Sequence, residues 1–425
     1  DGSFDAANPD IRYSIGHPAL SEVSINGTGP NGRITNWDVG QALTDQHMEV
    51  YGRTLDADNP QDRAIILERL QREYDIQLAQ HDDGQGWYIE DIERAIAKTK
   101  AIIPQLDPRK TNGNAAVNRD LFLTIAALMS PQEKPGPNWE KAIEVFQGFM
   151  ETGVMPSRKE NGKGFGVNAK SLPLIQHMID TLGSVEQTLE WITTPKTGLE
   201  IATMRKNSGV FSPGLEKTGK ISEDVRDYKA SEVSFKDTVL GIYAFGPKVG
   251  DFMMNSTGFD QTAITVDLWL ARTYNRHTGR LLEVGTKLAA KKKIISAPRG
   301  KTERGLIKSL IAELAFKNGV DPSAMQAALW YFEQRLFRNY GINTKSTNFS
   351  GAADIAVAKR SQLNQGATSE VSGVGEAQTG QLSARSRAEA NLGLNPGLKG
   401  GRYSVGSVTE EELAYERLRE KDKTL

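Results

Sequence analysis

The chain has 425 residues, a formal net charge of −1, 38% hydrophobic residues, 41 glycines and a mean hydropathy of −0.46. The balanced charge excludes a globally basic nucleic-acid binder, so any such role must rest on a local patch. The absence of cysteine rules out disulfides, thiolate zinc sites and cysteine-held iron–sulfur clusters.

No basic segment followed by an apolar run opens the chain, and no stretch of about 18 apolar residues occurs, so a membrane partner is not expected and a cytoplasmic location is. The chain starts at Asp1, which suggests a piece of a longer polypeptide. Residues 1–57 are rich in Gly, Asn, Asp and Pro and read as an irregular lead-in. Arg12-Tyr13-Ser14-Ile15-Gly16 nearly repeats as Arg402-Tyr403-Ser404-Val405-Gly406, the pattern of a module junction or of chance.

Residues 58–344 read as one helical domain. Ala64, Ile65, Leu67, Leu70, Tyr74 and Leu78 recur at helical spacing, as do Ile89, Ile92, Ala95, Ile96 and Ile103 up to Pro104. Asn118 or Asp120 can begin a helix whose run Leu121–Met129 is dense enough to be buried, ending at Ser130-Pro131-Gln132. Asn138 can cap the next, and Ser184 with Gln187 forms a capping box after the helix closed by Gly183.

Residues 205–233 mix charges and turn residues without a clear element. Leu281–Ala290 reads as helix, and Lys287, Lys291, Lys292, Lys293, Arg299, Lys301, Arg304 and Lys308 form a basic cluster opposed by Glu303. Pro322–Tyr340 is the last strong helix, with Gly341 to end it. Residues 345–425 have a disorder composition with a possible short charged helix at its end. Without β-alternation, the fold class is mainly α, with about eight to ten helices and disordered flanks.

The chemistry concentrates at 241–272. In Gly246-Pro247-Lys248-Val249-Gly250 the glycines permit left-handed backbone and close approach, and consecutive amides in such a turn can cradle a phosphate. Asp267 opens the segment Asp267-Leu268-Trp269 as a helix cap, or as a carboxylate that stabilises a cation or activates a nucleophile. Lys248 is a solvated or phosphate-contacting lysine, or a desolvated amine able to form a Schiff base.

Ile242-Tyr243-Ala244-Phe245-Gly246-Pro247-Lys248-Val249-Gly250, followed by Thr265-Val266-Asp267-Leu268-Trp269 with Asp267 19 positions after Lys248, resembles the helix-hairpin-helix DNA glycosylase superfamily, close to its 8-oxoguanine glycosylase branch. The early helix ending Ser130-Pro131-Gln132 is similar to another of its motifs, and the resemblance spans roughly 85–340. It implies a helix-hairpin-helix glycosylase-like bundle acting on double-stranded DNA, with Asp267 catalytic and Lys248 the nucleophile of a bifunctional glycosylase and AP lyase. It implies that the backbone of Ala244, Gly246, Pro247, Val249 and Gly250 holds a DNA phosphate and that Gln132 lies near the extruded nucleotide. Lys291, Lys292 and Lys293 would add nonspecific DNA affinity.

No metal or cofactor is required, apart from a monovalent cation that family hairpins often hold on their carbonyls. Ala244 stands where the family has its first hairpin glycine, which is expected to distort the turn or remove that cation. The flanks resemble polyvalent proteins of phages and conjugative elements, implying a monomer joined to other modules. Two alternatives use the same fold: an enzyme acting on hypermodified phage thymine, or a DNA-binding module that has lost catalysis. A purely structural helical scaffold is a third.

Overall fold

The run Leu121–Met129 has no polar face, so a helix over it must be enclosed on every side. In the computed structural model it is: from Leu121 to Leu128 each residue of the helix Ala115–Leu128 is buried. The structure describes residues 25, 27–80, 87–111, 113–131, 133–157, 162–166, 171–209, 227–228, 233–234, 237–282, 292–344 and 348–371.

Thirteen α-helices occur among them, more than the eight to ten expected. They are α1 (Asn36–Tyr51), α2 (Pro60–Gln80), α3 (Ile92–Thr99), α4 (Ala115–Leu128), α5 (Pro135–Thr152), α6 (Leu172–Leu182), α7 (Val185–Thr193), α8 (Gly198–Asn207), α9 (Pro247–Thr257), α10 (Leu268–His277), α11 (Lys301–Asn318), α12 (Pro322–Asn339) and α13 (Phe349–Val371). Among the described residues strand is confined to two antiparallel pairs, β1 (Pro195–Thr197) with β4 (Thr238–Leu240) and β2 (Asp227–Tyr228) with β3 (Val233–Ser234). The fold class is mainly α.

Three apolar clusters form the core. The largest joins α3 to α6 with α9 and the start of α13. A second packs α2 against α10, α11 and α12, and a third seats α1 on the end of α12 beside Leu281, Leu282 and Ile294. A buried ionic knot ties the latter two together. Arg276 of α10 donates to both oxygens of Glu73 in α2 at 2.6 and 2.8 Å and to Glu333 in α12 at 2.6 Å. His277 lies 3.0 Å from Glu73 through Nε2.

Two segments expected to be irregular contain helices. Helix α1 lies within 1–57, started by a reciprocal capping box of Thr35 and Asp38 and ended by Gly52 in the left-handed region. It shows little periodicity because one of its contacts is made by a glycine: a Cβ on Gly40 would come within 2.4 Å of Ile294. Helix α13 lies within 345–425. Its buried face is Phe349 followed by Ala352, Ala353 and Ala356, and the three alanines let its backbone approach α3 and α5 closely. Low apolar bulk there reflects tight packing.

Helix α11 was hidden by the basic cluster, whose Lys301, Arg304 and Lys308 share the helix with a stripe of buried Ile307, Leu310, Ile311 and Leu314. Helix α8 begins where no element was expected, on a capping box of Thr197 and Glu200. The α5 helix starts at Pro135, so Asn138 is no cap; it is buried and donates to the Ala126 carbonyl at 2.8 Å. Likewise α4 starts at Ala115, ahead of Asn118 and Asp120. Ser184 does cap α7, accepting from the Gln187 amide, and Gly183 ends α6. The expected helix 281–290 falls largely outside the described residues.

Candidate active site

The glycine turn is built from β4 outward. After Leu240 the chain makes a 3₁₀ turn over Gly241–Phe245, and Gly246, at φ 99°, redirects it into α9 with Pro247 in the first turn. Gly241 sits against Trp191, whose carbonyl oxygen would lie 2.4 Å from an added Cβ. Gly250 serves packing too, because its Cβ would stand 3.0 Å from the Tyr243 ring. The Tyr243 hydroxyl donates to Asp251 Oδ1 at 2.6 Å, and Lys308 of α11 reaches Asp251 Oδ2 at 2.6 Å. Burial pushes the Asp251 carboxyl upward against the pull of Lys308.

This packing narrows the expected phosphate grip. Ala244, Val249 and Gly250 are buried, so DNA could meet them through backbone alone. The amides of Gly246 and Gly250 are already donated to Tyr243 and Gly246 carbonyls, and Pro247 has none. Helix geometry leaves the remaining first-turn amides, Val249's among them, without an intrahelical acceptor. The Ala244 carbonyl accepts from the buried guanidinium of Arg205 in α8. A monovalent cation on that oxygen would face a fixed positive charge at contact distance, so the turn does not fit one there. Among the described residues no group of three or more acidic or histidine side chains could hold a metal ion.

From the same turn Lys248, half-buried, donates Nζ to the Ser130 carbonyl at 2.7 Å. The Ser130 turn and Lys248 therefore meet across 118 positions of sequence. Gln132, expected beside them, lies outside the described residues.

Asp267 is delivered by the connection from α9 to α10. Gly258 ends α9 in the left-handed region, and Asn255 then staples the loop, donating to the carbonyls of Asp260 at 3.1 Å and Ala263 at 2.9 Å. Thr265 donates to Asn255 Oδ1, and Arg304 of α11 donates to the Val266 carbonyl at 3.1 Å. This staple sets where α10 begins, so the 19-residue interval between Lys248 and Asp267 has a physical basis.

Asp267 caps α10 as expected: Oδ1 accepts from the amides of Trp269 and Leu270, both at 3.0 Å. Oδ2 accepts from the indole Nε1 of Trp330 in α12 at 2.8 Å. Burial raises the carboxyl above its ordinary range, and the charge of Lys248, the two amides and the indole work against that rise. Both Lys248 and Asp267 line one cleft of about 50 Å³, with Ser130, Glu133, Phe252, Trp330 and Phe349 among its walls. Its volume is well below the roughly 300 Å³ of ordinary ligand pockets, so a planar base needs side chains to move aside.

Sequence reasoning missed three of these residues. Trp330 sat among ordinary apolar positions of α12, Phe349 in a segment read as disordered, and Arg205 in a stretch left unassigned. Only Phe349 carried a signal, as an isolated aromatic within a small-residue run. Of the basic cluster, Arg304 and Lys308 brace the site through the Val266 carbonyl and Asp251, whereas Lys292 and Lys293 are not among the residues lining the cleft. Lys291 lies outside the described residues, while Lys292, exposed with φ 53°, and Lys293 precede Ile294 at the α1 side of the molecule.

Comparison with family models, with curated proteins and with solved structures gave no match. Among the described residues no helix is long and apolar enough to cross a membrane.

Proposed function

We propose that this chain is a DNA base-excision module, a glycosylase with Schiff-base lyase activity on double-stranded DNA, built on a helix-hairpin-helix glycosylase-like bundle. The reading rests on one observation: the Lys248 amine and the Asp267 carboxylate line the same cleft although they come from different helices. A binding module needs neither at that position.

In this reading the first turn of α9 anchors a phosphate while the target nucleotide is rotated toward the cleft. The neutral Lys248 amine bonds to sugar C1′ as the C1′–base bond breaks, and the bonding pair leaves with the base, which takes up the proton released from nitrogen. Opening of the sugar ring then gives the imine. Asp267, anionic and held by three donors, stabilises positive charge on the sugar during departure. Its raised affinity for a proton also suits it to take one from the Lys248 ammonium beforehand and pass it to water, so that it is ionised again when the base leaves. Arg205 replaces any hairpin cation. The module acts as a cytoplasmic monomer within a longer polypeptide.

Borohydride trapping on duplexes carrying different modified bases tests the reading. A covalent adduct that disappears in Lys248→Ala is expected. Inertness of every duplex, with DNA binding intact, would leave a module that only binds.

A further inference from the structure

We propose that Trp330 is a positioning residue for Asp267, its indole N–H fixing the rotation of the carboxylate within the cleft shared with Lys248. An aspartate that only caps a helix needs one oxygen for the task, and Oδ1 already receives both amides of the α10 turn. The other oxygen of such a cap ordinarily faces water. Here Oδ2 receives a donor from a different helix, 63 residues further along.

The donor is itself constrained. Trp330 is 7% exposed, and its ring meets Tyr331 edge to face at 4.9 Å between centroids. An indole N–H so enclosed needs an acceptor, and Asp267 Oδ2 is one at good distance. An ionised carboxylate can only accept, and its charge strengthens each of the three hydrogen bonds, so donors on both oxygens favour that form. Trp330 therefore acts on both the orientation of Asp267 and its protonation.

The other charged groups around Asp267 are Lys248 from α9, Glu133 across the cleft in its ion pair with Lys141, and Arg304 of α11 on the Val266 carbonyl. Arg272 on α10 is directed to Ser296 and over the Trp269 ring. Replacing Trp330 by phenylalanine keeps an aromatic ring and leaves all of these in place.

The catalytic consequence rests on the glycosylase reading, whereas the effect on Asp267 does not, and two measurements separate them. Carbon-13 titration of the full chain, with Asp267→Asn to assign the resonance, should show the Asp267 pKa rising by about one unit in Trp330→Phe. The acid limb of borohydride trapping on an abasic duplex should move by the same amount, with duplex affinity unchanged. In the unaltered protein the Trp330 indole proton should shift as Asp267 titrates and lose that response in Asp267→Asn, a readout that survives if Trp330→Phe fails to fold. An indole proton blind to Asp267, or an unmoved Asp267 titration in folded Trp330→Phe, overturns the proposal. Movement of both resonances with no trapping at any pH upholds it and sinks the glycosylase reading.

Discussion

The ammonium of Lys248 is held on the carbonyl of Ser130 at 2.7 Å, so the end of the buried helix α4 and the glycine turn share one hydrogen bond. The contact gives the amine a fixed resting position. To attack a sugar, the lysine must lose a proton and leave that carbonyl. Lys248→Met keeps the apolar stem and should cost about 1 kcal/mol in urea denaturation, because the Ser130 carbonyl loses a donor. A much larger loss would mean that the lysine is chiefly structural.

Asp267→Asn separates capping from chemistry. Asparagine caps a helix as well as aspartate does, so α10 should persist. Its amide would then meet the Trp330 indole donor to donor, at a cost of about 1–3 kcal/mol. Base release should fall about a hundredfold or more while duplex affinity holds. Release at the unaltered rate would remove Asp267 from the reaction.

Gly241→Ala probes the platform beneath the turn. The added methyl would meet the Trp191 backbone oxygen at 2.4 Å and its ring at 2.7 Å. Backbone cannot rotate away as a side chain can, so a loss of about 1–3 kcal/mol or more is expected in thermal unfolding. An unchanged melting temperature would show that β1 and β4 are loosely joined.

Acid sensitivity should originate far from the cleft. Burial drives His277 down to about 3, against the pull of Glu73, and burial with the Arg69 charge drives His47 to about 4. Both are neutral in the folded state, whereas in the unfolded chain each takes up a proton near pH 6.5. Protons thus favour unfolding below that point. Stability should fall between about pH 6.5 and 4 by about 1.4 kcal/mol per pH unit per histidine. His277→Gln, which can still donate to Glu73, should flatten the slope in denaturation curves across that window.

The lysines before Ile294 have a salt-dependent signature. If Lys291, Lys292 and Lys293 contact phosphates, neutralising them should lower the slope of log affinity against log salt by about 0.9 per lysine. An unaltered slope would assign the cluster to solvent.

The dense run of α4, the capping aspartate of α10 and the glycine turn before α9 were all legible in the sequence, because each follows from local chemistry: side-chain periodicity, a side chain on its own helix end, a backbone angle. The spacing from Lys248 to Asp267 was legible too, although its cause, the Asn255 staple, was not. Helices α1 and α13 escaped because glycine and alanine contribute by closeness, which no hydrophobicity pattern records. Tertiary structure alone decided what surrounds the pair. It placed Ser130 on the amine, Trp330 on the carboxylate, Phe349 in the wall and Arg205 on the Ala244 carbonyl. A hydrogen bond between residues 63 or 118 positions apart depends on how helices pack, and composition along the chain carries no trace of it.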